Sequence, residues 1–161
     1  MTIKNENKFV LKHYIIDGNN LIGKIKTLKR LHKKDKARSA EKLTLILSRY
    51  FGKKSVKVSL HFDGFQPELF KSQGLRIIHS GKVTADEKIK NEISKCKNSK
   101  NIILITSDHN LAEFGQVCSC QVIKSEEFSK QLLSSDKIDE EQTKIDEIKN
   151  IDEFKKIFGV D

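Results

Sequence analysis

Three short apolar, β-branched runs each lead into an aspartate: YII into Asp17, VKVSLHF into Asp63 and IILITS into Asp108. Runs that are apolar at most positions, rather than at alternate ones, belong to strands buried on both faces, as in a parallel sheet covered by helices. Such sheets open their ligand crevice at the carboxyl ends of the strands, so the three aspartates are expected at one edge. A fourth, Asp86, heads the helical-looking segment DEKIKNEI. Carboxylates crowded in this way repel one another and resist ionisation unless a divalent cation stands among them. The pattern predicts an acidic metal site.

The remaining elements fit the same plan. KFVLKHYII, residues 8–16, reads as the first strand, and GNN after Asp17 as a turn. Residues 35–52 carry Ala37, Ala40, Leu43, Leu47 and Tyr50 at spacings of three and four, an amphipathic helix. LRIIHS is a third strand, residues 85–96 a helix, NIILITSD a fourth strand, HNLAEFGQ a short helix ending near Gly115, and CQVIKS a fifth strand. A last helix is expected behind a Ser125 cap. Alternating strands and helices predict a doubly wound α/β sandwich over a parallel sheet. Residues 1–133 form this domain. Residues 134–161 change character: they are acidic and place Ile145, Ile148, Ile151, Phe154 and Phe158 at helical spacing. They are expected to form one amphipathic helix that packs on its own domain or docks a partner.

At 161 residues one domain with one additional element is expected. No run approaches the roughly 18 apolar residues of a membrane helix, and MTIKNENKFV lacks the apolar stretch of a signal peptide, so a cytoplasmic location without membrane contact is predicted. Cys96, Cys118 and Cys120 lack the spacing of a zinc site and are expected as small buried hydrophobes or spectators. The net charge of +9 is uneven: residues 1–60 hold sixteen Lys or Arg against four acids, whereas residues 134–161 hold five against nine. The basic first third attracts polyanions, although chains rich in Lys, Asn and Ile also acquire such surfaces from composition alone.

Cleaving or transferring a phosphate ester calls for carboxylates around Mg2+ or Mn2+ with part of the water shell kept. Asp17, Asp86 and Asp108 are the candidate catalytic and metal-binding residues, with Asp63 a further ligand or a residue just outside the ligand set. Asn20, Thr84, Thr106 and Ser107 are candidates for orienting these carboxylates or bound water. Each aspartate alone has a plainer use as a helix cap or in an Asx turn; four such coincidences are less expected than one site. Lys24, Lys26, Lys29, Arg30, Lys33, Lys34, Lys36 and Arg38 are candidates for phosphate contacts, with Arg38 foremost because it begins a helix. His13 and His61, within strands, are expected as interior histidines rather than ligands, and His109, directly after Asp108, is left open as a residue that could face the cleft. Phe62, Phe65 and Phe70 flank Asp63, where aromatics stack exposed bases or pack the core.

The strings YIIDGNNLIG, KARSAEKLTLILSRY, VSLHFDG, SGKVTADEKIKNEI and NIILITSDHNLAEFG, in this order, resemble the YacP-like NYN domain, a branch of the PIN-like nucleases, over residues 12–133. The resemblance implies a PIN-like three-layer α/β sandwich with a central, mostly parallel sheet, an acidic cluster and a divalent metal. It further implies endoribonuclease activity leaving a 5′-phosphate and a 3′-hydroxyl, with messenger RNA as substrate and the ribosome as partner. Asp17 and Asn20 match the first motif, Asp86 the TAD element, Asp108 the TSD element and Arg38 the arginine of the following helix. Asn19 stands where an aromatic is usual, and the acidic tail lies outside the pattern. A noncatalytic RNA- or ribosome-binding module of the same fold is the alternative, and a toxin-type PIN nuclease a third. A dehalogenase-like phosphatase needs an acid at position 19, which is Asn, and a receiver domain needs early paired acids that are absent.

Overall fold

The computed structural model describes residues 11–65, 72 and 74–135. Strands β1 (His13–Asp17), β2 (Lys57–Phe62), β3 (Arg76–His79), β4 (Ile102–Ile105) and β5 (Gln121–Ile123) form one sheet in the order β3-β2-β1-β4-β5. Every neighbouring pair is parallel. The helices are α1 (Gly18–Ile22), α2 (Lys26–Lys34), α3 (Lys36–Phe51), α4 (Ala85–Lys95), α5 (His109–Val117) and α6 over residues 125–135. The acidic segment 136–161, and with it the expected tail helix, lies outside the described residues, as does Phe70. No described helix is long and apolar enough to cross a membrane.

Side chains alternate between the two faces of the sheet. Ile16, Val58, Leu60, Ile103 and Ile105 pack with Leu43, Leu47, Phe51 and Phe128 on the side of α1, α2, α3 and α6. Ile15, Ile102 and Leu104 pack with Ile89, Ile93 and Leu111 on the side of α4 and α5. With helices on both faces, β4 has no solvent side, which explains its unbroken apolar composition, and β1 buries Ile15 and Ile16 against opposite layers.

Asp35 caps α3 by accepting the Arg38 N–H at 3.1 Å, and Ala40, Leu43, Leu47 and Phe51 give that helix its buried stripe. The lysine-rich approach to it is itself a helix, α2, with Leu28 as its buried residue. α1 starts directly after Asp17, where a turn was expected. α5 runs two residues past Gly115; a Cβ at Gly115 would lie 2.7 Å from Leu104 Cδ2, so this glycine serves helix-to-sheet contact rather than termination. Ser125 is not the cap of α6: it lies within the helix, and its hydroxyl donates to Asn20 Oδ1 at 2.6 Å. The cysteines are free, with Cys120 buried and Cys96 and Cys118 partly so.

β2 carries two polar residues toward α4. The Ser59 hydroxyl donates to Glu92 Oε1 at 2.6 Å and His61 Nε2 lies 2.5 Å from Glu92 Oε2, while His13 Nε2 is 2.8 Å from Ser59 Oγ. His61 thus has the interior role expected of it, whereas His13 is only partly buried, with its side chain 20% exposed.

The path of the chain positions the site. It leaves β1 for α1 on one face and β4 for α5 on the other, and β1 and β4 are neighbours. A crevice opens at the carboxyl end of such a pair. Next to Asp17, a Cβ on Gly18 would lie 2.6 Å from the His61 carbonyl oxygen and from the Phe62 ring. Gly18→Ala is expected to cost roughly 1–3 kcal/mol through overpacking, read as a lower urea midpoint with an unchanged slope.

Candidate active site

Asp17 ends β1, Asp63 follows β2, Asp86 stands in the first turn of α4 and Asp108 caps α5. All four line one cleft of about 390 Å3, together with Asn19, Asn20, Thr84, Lys90 and Asn110. The acids come from four separate elements, and the parallel sheet aligns their ends.

Each carboxylate has at least one definite contact. The Thr106 hydroxyl donates to Asp17 Oδ2 at 3.1 Å, and the Ala85 N–H donates to Asp63 Oδ1 at 2.8 Å. The Leu111 N–H donates to Asp108 Oδ1 at 2.9 Å, and Lys90 Nζ lies 3.0 Å from Asp86 Oδ2. Asp63 and Asp108 therefore do make the structural hydrogen bonds that any aspartate beyond a strand can make. They face the cleft all the same, and the second oxygens of Asp63, Asp86 and Asp108 have no hydrogen-bond or ion-pair partner among the described residues.

Burial pushes the Asp17 carboxyl up to about 6; hydrogen bonds from Thr106 and the Asn20 backbone oppose this, and repulsion from Asp63 and Asp108 adds to it. Such a carboxylate gains from a neighbouring cation. Among the described residues no three acidic, histidine or cysteine side chains are grouped tightly enough to hold an ion alone. Oxygen donors spaced in this way fit a hard cation that keeps much of its own water, as Mg2+ does, rather than a closed protein cage.

The supporting residues form a connected lattice. Asn20 Oδ1 accepts the Ser107 N–H at 2.9 Å as well as the Ser125 hydroxyl. Ser107 Oγ accepts the Ser125 N–H at 2.9 Å and donates to Glu126. That hydroxyl holds the Glu126 carboxyl down at about 2, with the Lys24 ammonium 3.0 Å away. Thr106 also accepts the Asp108 N–H at 3.1 Å, tying two of the acids through one hydroxyl. Thr84 lines the cleft and caps α4 through the Glu87 N–H.

Three polar cleft residues were missed by sequence reasoning. Asn19 Oδ1 accepts the Asp63 N–H at 2.9 Å, so the residue at the unusual motif position ties the end of β1 to the end of β2. Lys90 and Asn110 resemble any surface residues in the sequence; the one available signal was the spacing of Lys90 four residues after Asp86. Conversely, Arg38, Lys24, Lys26, Lys29, Arg30, Lys33, Lys34 and Lys36 are exposed and none lines the cleft. His109 borders a separate pocket with Ala112 and Gln116. Phe62 is a core residue at 3% exposure, whereas Phe65, two residues after Asp63, is 73% exposed.

No curated protein matches the sequence. The structure is similar to that of Rae1 (YacP) from Bacillus subtilis, with a TM-score of 0.71 and 22% identity over 93% of this chain and 90% of that one. A mutant form of the same protein gives 0.70 and 19% identity over 85% of each chain. The architecture is thus the expected one. The family model for the YacP-like NYN domain matches residues 14–157, a span that contains all four aspartates and most of the acidic C-terminal segment. The chain belongs to the YacP-like NYN domain family of PIN-like nucleases.

Proposed function

We propose that this protein is a divalent-metal-dependent endoribonuclease using Mg2+ or Mn2+, with messenger RNA as substrate and the ribosome as a partner. The observation that carries the proposal is the convergence of Asp17, Asp63, Asp86 and Asp108 on one cleft beside the switch point of the sheet. Asp17, Asp86 and Asp108 are the residues that would hold the ion, with Asp63 alongside. When bound, the ion lowers the pKa of the attacking water and neutralises charge on the scissile phosphate. Thr106 orients Asp17 and Asp108, Asn20 and Ser107 fix the loop after β4, and Asn19 fixes Asp63. In-line attack on the phosphodiester would leave a 5′-phosphate and a 3′-hydroxyl.

Lys26, Arg30, Lys33 and Lys34 on α2, with Lys24 and Arg38 on either side, form an exposed basic surface for the RNA backbone, and Phe65 supplies an exposed ring for stacking a base near Asp63. Purified protein is expected to cut mixed RNA when Mg2+ or Mn2+ is added and to stop with chelator, and Asp86→Asn protein is expected to be inactive. RNA affinity should fall steeply with salt, with a log–log slope of about −0.7 for each phosphate neutralised on a single strand. The structural hydrogen bonds of Asp63 and Asp108 favour a second reading, a noncatalytic RNA- or ribosome-binding module. Metal-independent RNA binding without any cleavage would establish that reading in place of the first.

A further inference from the structure

Lys90 is the one cationic side chain among the described residues that line the acidic cleft. It stands one helical turn after Asp86, with Nζ 3.0 Å from Asp86 Oδ2. The same Nζ lies 5.7 Å from the centroid of the Phe114 ring on α5, within cation–π range. The pair is well exposed, 36% for Lys90 and 41% for Asp86, and such i,i+4 pairs add little to the stability of a helix. Its position is more telling than its strength. An oxygen paired with an ammonium is not free for a metal, and a cation of charge two displaces one of charge one from a carboxylate. A phosphodiester entering a cleft of four carboxylates also needs more positive charge than an ion shared among them provides.

We infer that Lys90 is a displaceable counter-ion. It occupies Asp86 in the ion-free protein, gives up that oxygen when a divalent cation binds, and then, steadied beside Phe114, contacts a non-bridging oxygen of the substrate phosphate. The inference rests on the nuclease proposal and assigns to one side chain both metal competition and substrate recognition.

Lys90→Gln in the full chain tests it, because glutamine keeps much of the length and helix propensity and removes the charge. Two measurements are needed: Mn2+ affinity of the RNA-free protein by titration calorimetry, and cleavage kinetics at saturating Mn2+. Loss of an exposed competing charge is expected to tighten Mn2+ binding about two- to fivefold. Loss of a cation from the transferring phosphate is expected to lower kcat about 100-fold. Lys90→Arg should retain the wild-type Mn2+ affinity and recover part of kcat. Unchanged Mn2+ affinity in Lys90→Gln protein, or undiminished cleavage at saturating Mn2+, overturns the inference and leaves the nuclease proposal standing. Wild-type protein that neither binds Mn2+ nor cuts RNA overturns both.

Discussion

Asp17→Asn protein is expected to be more stable than the wild type at neutral pH and above, and to cut RNA more than about 100-fold more slowly, since even residues that only orient a metal ligand cost about 10–100-fold. Burial raises the Asp17 carboxyl from its ordinary 3.8 to about 6. A raised acid holds its proton more tightly in the folded chain, so stability falls as pH climbs from about 4 through 6. Asparagine keeps the acceptor for Thr106 and removes the charge. In metal-free buffer the variant should therefore match the wild type near pH 4 and exceed it by roughly 1–3 kcal/mol at pH 8, measured by urea unfolding at both values. Added Mn2+ should stabilise the wild type far more than the variant and narrow the gap. Undiminished cleavage by Asp17→Asn protein would remove Asp17 from the mechanism.

Glu92→Gln is expected to have the largest effect on folding away from the cleft. Burial opposes ionisation of Glu92, but hydrogen bonds from His13, His61 and Ser59 overcome it, and its carboxyl titrates well below the usual carboxylate range. His61 is 2% exposed, so weakening its partner strands a buried polar ring. Breaking such an arrangement costs about 2–4 kcal/mol. The sign of the pH dependence is opposite to that of Asp17. A depressed acid stabilises the fold above its ordinary value of 4.5 and loses that contribution as pH falls. The deficit of the variant should thus be widest at neutral pH and shrink below about 4.5. A deficit that stays constant from pH 7 to pH 3 would show that shape, not charge, sets the effect.

β4 was legible because it is buried on both faces and composed wholly of Ile and Leu. β1 was legible because Tyr14, Ile15 and Ile16 precede Asp17, although Leu11 and Lys12 of the expected strand 8–16 lie outside it. The meeting of the four acids followed from the same apolar runs, since parallel strands share one carboxyl edge. What stayed hidden depended on partners distant in sequence. Ser125 reads as a cap from its neighbours, yet its partner is Asn20, 105 positions away. α2 is nine residues long with one buried residue in a field of lysines, so its amphipathic face is carried by too few apolar positions to stand out from a basic loop. The polar positions Ser59 and His61 alternate within β2, a hint of a partner across the face, but nothing local names Glu92 as that partner. Lys90 was invisible for the same reason: its meaning comes from the walls around it.

The Asn20 amide oxygen receives hydrogen bonds from Ser107, in the loop after β4, and Ser125, at the start of α6. One side chain from the beginning of the domain is thereby clamped by two segments made much later. During synthesis, a ribosome would have to release nearly the whole domain before the carboxylates acquired their final spacing. The final arrangement of the cleft and completion of the fold are consequently a single event.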